Sequence, residues 1–192
     1  MRIILKEDWK FSFLMWNLFL AWTPFFFTHM VEKVRSSFGK FTFCILAILF
    51  FPNSPYMITD LLHLKLYQQN IIWFDSLLIF SFAFTGLLIG LFSLKKGHHL
   101  LKIHTKTSFS WILILTTTFL SGFGIYLGRY CRLNSWDLFQ RPLWFIGRVL
   151  YQFNNPLMYK MTLTFGFIII AFYYIFHSLF NPNEKDIYSK FE

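Results

Sequence analysis

Long apolar runs alternate with short polar connections along the whole chain. Five stretches approach the roughly 20 mostly apolar residues that a helix needs to cross a bilayer. They run over about 11–31, 41–58, 71–94, 108–127 and 161–180. Phe-rich segments such as Phe25-Phe26-Phe27 lack the two-residue alternation of a membrane strand, so a barrel is disfavoured. The pattern predicts an all-α, polytopic transmembrane helical bundle of about five spanning helices, read as a single integral membrane domain over 1–192. Between the fourth and fifth spans, Leu143, Trp144, Ile146, Val149, Leu150 and Phe153 fall at helical spacing, with Arg141, Arg148 and Gln152 between them. This is the pattern of a helix lying along the membrane interface.

Composition agrees with that reading. Hydrophobic residues make up 56% and charged ones only 14%, too few for a soluble domain to clothe itself. The formal net charge of +9 would suggest nucleic acid in a soluble protein. Here the basic residues sit in loops beside apolar runs, so membrane lipids are the expected partners and nucleic acid is not. The sequence names no protein partner. The first apolar run has full spanning length and no small-residue cleavage site after it, so a retained helix is expected. The expected location is the cell membrane, with several passes. Lys and Arg divide evenly between the two faces, so the positive-inside rule gives no orientation by count. The stretch from Lys95 to Lys106, with four Lys, three His and no acid, favours an outside N-terminus and an inside C-terminus. His98, His99 and His104 in that stretch read as a solvated loop, and no chemistry is assigned to them. Cys44 and Cys131 have no second thiol at metal or redox spacing, so no disulfide is expected.

Several polar residues interrupt the apolar runs. Pro52 and Pro55 break the second run in Phe51-Pro52-Asn53-Ser54-Pro55-Tyr56, because each removes a backbone donor. Broken helices at membrane depth often line binding sites, which makes Asn53 and Tyr56 candidates. Asp60 and His63 follow at a spacing that shares one helical face, as an acid–base or metal pair would need. The alternative is that Thr59 or Asp60 caps an interfacial helix. Asp75 lies just inside the third run, where a carboxylate is either functional or held by the helix N-terminus. Arg129 follows the fourth run, and Asn134, Trp136 and Asp137 come soon after; Asn134 and Asp137 also fit a helix cap. Asn17 enters the first run from the same side. Alternating topology brings these positions to one face, where one polar pocket could collect them. Gly86-Leu-Leu-Ile-Gly90 and Gly124-Ile-Tyr-Leu-Gly128 have the small-residue spacing that lets helices approach closely.

The segments Trp16-Asn17 through Pro24, Pro52-Asn53 through His63, Trp73-Phe74-Asp75, and Gly124 through Asp137 form a set that resembles the domain-of-unknown-function 1361 family. The resemblance spans most of the chain and implies a bacterial multispanning membrane protein, without implying a reaction. Three functions stay open. One is a membrane enzyme acting on a lipid or lipid-linked substrate, with Asp60, His63, Asp75 and Asp137 as acid–base or metal candidates and Arg129 holding an anionic group. Asn17, Asn53, Tyr56, Asn134 and Trp136 would then bind the substrate. The second is a transport or solute-binding module lined by the broken span and Asp75. The third is a structural subunit of a membrane complex. No nucleophile elbow or metal-ligand spacing is present, so no cofactor is assigned.

Overall fold

The computed structural model describes residues 12–66, 72–133 and 136–180, with the backbone alone for residues 63–66 and 72. Every described element is a helix: α1 (Ser12–Lys33), α2 (Ser37–Phe50), α3 (Asn53–Tyr56), a 3-10 segment (Met57–Leu66), α4 (Ile72–His104), α5 (Thr107–Arg129), α6 (Asp137–Gln140), α7 (Pro142–Gln152) and α8 (Pro156–Phe180). Four stretches are long and apolar enough to cross a membrane: Ser37–Leu62, Trp73–His104, Thr107–Arg129 and Pro156–Phe180. The first predicted span, α1, has the 22 residues a crossing needs but is interrupted by Asn17, Thr23, Thr28, His29 and Glu32. It packs against α2 and α4 as part of the bundle. Large apolar side chains such as Phe38, Phe41, Leu77, Phe80, Ile112, Phe167 and Ile175 are exposed around the perimeter. Water would not tolerate such a surface, whereas lipid matches it. The chain is a multi-pass membrane protein with a lipid-facing exterior.

Backbone groups freed by proline are repaired locally, as a membrane interior requires. Pro24 cannot donate to Leu20, and the Thr23 hydroxyl donates to that carbonyl instead at 2.7 Å. At the second break, the Ser54 amide turns to Phe51 O at 3.1 Å. This leaves the Phe50 carbonyl for Asn53 Nδ2, which donates to it at 3.0 Å. The Ser54 hydroxyl donates to Ala21 O at 2.7 Å and ties α3 to the kinked part of α1.

The broken segment is wedged between α4 and α5, and the glycines of both predicted small-residue motifs make room for it. A Cβ at Gly86 would strike the Met57 side chain, and one at Gly90 would lie 2.8 Å from Ser54 Cβ. On α5, a Cβ at Gly124 would lie 2.5 Å from the Pro52 ring, and one at Gly128 would lie 3.1 Å from the Tyr56 ring. The motifs therefore admit the irregular end of the second span rather than a whole neighbouring helix. The close helix pair is α5 with α8, where Gly122 meets the backbone at Thr162 and Gly166 meets the Phe119 ring.

One boundary differs from the sequence reading. The third span continues as helix to His104, because Lys95, Lys96, Leu100, Leu101 and Lys102 are good helix formers with no stop signal among them. The expected loop carrying His98, His99 and His104 is thus the last turns of α4. Lys95 Nζ also donates to Phe180 O at 3.1 Å, closing the carbonyl end of α8. The predicted interfacial helix forms as α7, with Leu143, Leu150 and Tyr151 strongly exposed and Phe145 and Val149 turned to the bundle. Its outward apolar face suits the membrane interface.

Candidate functional site

The site lies where α1, the 3-10 segment and α4 begin or end beside the C-terminal end of α5. Asp60 sits in the 3-10 segment with 1% of its surface exposed. It does not cap a surface helix; it turns inward to α1 and α5. Asn17 Nδ2 donates to Asp60 Oδ2 at 3.0 Å, and Arg129 Nη1 stands 3.8 Å from Asp60 Oδ1. That second distance is a charge contact rather than a tight hydrogen bond. Asp75, in the first turn of α4, is likewise buried, at 3% exposure. The helix N-terminus there favours its negative charge.

Beyond Arg129 the chain turns back on the end of α5. Leu133 N donates to Leu127 O at 3.1 Å, and Arg132 adopts the left-handed conformation with φ 53°. Holding a non-glycine residue there costs about 1 kcal/mol. The offsetting gain is Leu133, buried against Tyr126, Leu127 and Met158. The turn delivers Trp136 to α1, where its ring lies edge-on to Trp16 with centroids 6.3 Å apart.

Between these elements lies a cavity of about 480 Å3. Asn17, Asn53 and Tyr56 supply its polar side chains, Trp16 and Trp136 its aromatic edge, and aliphatic side chains of α2 and α5 most of the rest. No charged side chain lines it among the described residues. Asp60 and Arg129 reach it through Asn17. Asp137 is half-buried in the first turn of α6, next to Trp136. Of the ten sequence candidates, Asn17, Asn53, Tyr56 and Trp136 line the cavity, Asp60 stands one side chain behind it, and Arg129 stands behind Asp60. Asp75 and Asp137 are not among its lining residues. The His63 side chain and Asn134 lie outside the described residues. No group of three or more His, Cys, Asp or Glu is placed to hold a metal among the described residues.

The family model described as "Protein of unknown function (DUF1361)" matches residues 16–172. The chain belongs to this family. No curated protein and no solved structure matches it. The matched region holds the cavity and all ten candidates, in agreement with the resemblance carried by Trp16-Asn17, Pro52-Asn53 and the Gly124–Asp137 stretch.

Sequence reasoning missed a second polar cluster at the other end of the bundle. His98 is fully buried, with Nδ1 2.7 Å from the Tyr173 hydroxyl and Nε2 3.2 Å from Ser110 Oγ. Ser110 donates its proton to Thr107 O at 2.7 Å, so it accepts from His98 Nε2–H. At Nδ1, a neutral imidazole would accept from the Tyr173 hydroxyl. Trp111 and His177 pack around the ring at centroid distances of 4.6 and 5.4 Å. The signal was available as His98 and Tyr173 on facing spans, but a Lys-rich setting hid it. Interhelical hydrogen bonds in membranes contribute roughly 0.6–2 kcal/mol each. His98→Ala is therefore expected to lower stability by about 1–3 kcal/mol in thermal unfolding; a change under about 0.5 kcal/mol would mean the contacts carry no net stability.

Proposed function

We propose that this membrane protein takes the polar end of a lipid or lipid-linked molecule into the cavity between α1, α3 and α5. The observation that carries the reading is the lining: two tryptophans and three neutral hydrogen-bonding side chains, with no charged group among the described residues, beside an apolar wall. Such a lining suits an uncharged, hydroxyl-bearing head of polyol or sugar type. The C–H faces of a sugar pack on indole while its hydroxyls bond to amides. A phosphate would be left there without a cation. Asn17 is held by Asp60 through one N–H, which orients its amide and leaves its carbonyl for a ligand hydroxyl. Asp60, with Arg129 beside it, serves this reading by fixing the Asn17 amide rather than by exchanging protons with the ligand.

Competed photolabelling of the protein in nanodiscs by a diazirine-bearing octyl glucoside tests the reading. Labelling is expected near Trp16 and Trp136, with Asn17→Ala and Trp136→Ala each weakening it at least about fivefold; a fivefold loss corresponds to about 1 kcal/mol, the net contribution of one hydrogen bond. An alkyl phosphate is expected to compete poorly. Labelling indifferent to both substitutions, or displaced equally well by the phosphate, would sink the proposal.

A further inference from the structure

The cavity does not end at its polar floor. A second cavity of about 360 Å3 lies further along the bundle, lined from α2, α4 and α5 by residues such as Phe41, Cys44, Leu94, Leu101 and Leu113. Ile48 on α2 and Leu120 on α5 line both cavities, so the two meet at that pair. The groove exists because α2 packs chiefly on α1 and leaves its other side off α5, with α4 as the floor. Along α5 the lining runs from Leu113 to Gly128, about 22 Å at about 1.5 Å per residue.

The second cavity is apolar in effect even where its residues are nominally polar. Thr28, Thr116 and Thr117 turn their hydroxyls back to Phe25, Ile112 and Leu113 carbonyls at 2.8, 2.9 and 2.8 Å. Their methyl groups are what remains for a ligand. Glu32 is paired with Lys96 at 2.8 Å at the far end. A path for a hydrophilic solute would need polar groups along its length, and this groove has them at its two ends, Asn17, Asn53 and Tyr56 at one and Glu32, Lys40 and His104 at the other, with an apolar stretch between. A hydrocarbon chain is what such a lining accepts.

We infer that the groove holds a hydrocarbon chain of the molecule whose head occupies the first cavity, an inference that rests on the proposed head-binding reading. Of the length along α5, the head cavity takes Leu120 to Gly128, and the groove beyond Leu120 adds about 10 Å, to Leu113. This is less than the roughly 15 Å of one leaflet, so the chain of an ordinary membrane lipid fills it. The ligand class is a lipid with an uncharged hydroxylated head and one chain in the groove. Ile48 and Leu120 form the gate through which the chain passes.

Two glucosides with a diazirine at the chain terminus separate head from tail: octyl glucoside and octadecyl glucoside, each with and without excess unlabelled compound, on protein in nanodiscs. The octyl probe is expected to label the first cavity, and the octadecyl probe the segments around Leu101 and Leu113. Thr117→Trp, or Cys44→Trp from the opposite wall, fills the second cavity alone and is expected to cut the deep labelling at least tenfold and leave octyl labelling unchanged. Thr117 is half-buried and Cys44 exposed, and thermal unfolding confirms that each variant folds. Competed octyl labelling without competed deep labelling overturns the tail inference and leaves the head reading standing. Deep labelling that survives both tryptophan variants overturns the path through the second cavity. Absence of competed labelling by either probe overturns both readings. A second copy of the chain crosslinked across α2 and α5 would also overturn the tail inference.

Discussion

Asp60→Ala lowers the stability of the folded bundle by about 3 kcal/mol, the lower end of the range for stranding one member of a buried ion pair. Asp60 is the residue on which three elements converge: its own 3-10 segment, α1 through Asn17 and α5 through Arg129. Removing the carboxylate strips Asn17 of its acceptor and takes away the charge that Arg129 Nη1 faces at 3.8 Å. The cost sits at the lower end because the Arg129 side chain is 18% exposed and can move its charge towards the headgroups. Asp60→Asn separates shape from charge. The amide can still accept from Asn17, so about 1–3 kcal/mol should be lost, the worth of a charge-assisted contact. A double-mutant cycle with Arg129→Gln, followed by reversible unfolding in detergent, should return a coupling of about 0.5–3 kcal/mol. Loss of under about 0.5 kcal/mol on Asp60→Ala, with additive effects in the cycle, would mean that the pair neither holds the bundle nor sets Asn17.

The bundle itself was legible because membrane spans are written in composition. A run of apolar residues of the right length has few alternatives when every backbone group must be satisfied within the segment. Asn53 and Asp60 were found for a related reason, since a proline-broken span and a buried carboxylate each demand compensation that leaves a polar signature. The details of that compensation were not legible. Nothing in Asn53 alone says that its amide repairs the Phe50 carbonyl, because this depends on where the Ser54 amide goes. His98 escaped for the opposite reason. Lys95 and Lys102 share its side of α4, one turn to either side, so charge at the helix end masked an imidazole that packing against α5 and α8 buries. The groove was also invisible, since the looseness of α2 against α5 is a property of packing and no residue announces it.

The glycines carry the second large expectation, and their differing surroundings make it specific. Gly122 faces the backbone of α8: a Cβ there would overlap the Thr162 carbonyl oxygen and crowd Gly166 N at 3.1 Å. Backbone cannot rotate aside, so Gly122→Ala must push α5 and α8 apart along the most extensive helix pair in the bundle. Overpacking a well-filled interface costs about 1–3 kcal/mol and occasionally more, and Gly122 belongs at the top of that range. Gly86→Ala meets the flexible Met57 side chain instead, which can swing away, so about 1 kcal/mol or less is expected. Gly147 on α7 has open space around it, and Ala there should be neutral or stabilising by up to about 1 kcal/mol through helix propensity. The ordering Gly122, Gly86, Gly147 in thermal unfolding is the prediction. Equal losses at Gly122 and Gly147 would show that α5 and α8 do not approach at that point. A loss at Gly86 matching that at Gly122 would place a second rigid contact against the broken span, with Met57 fixed where the structure leaves it free to move.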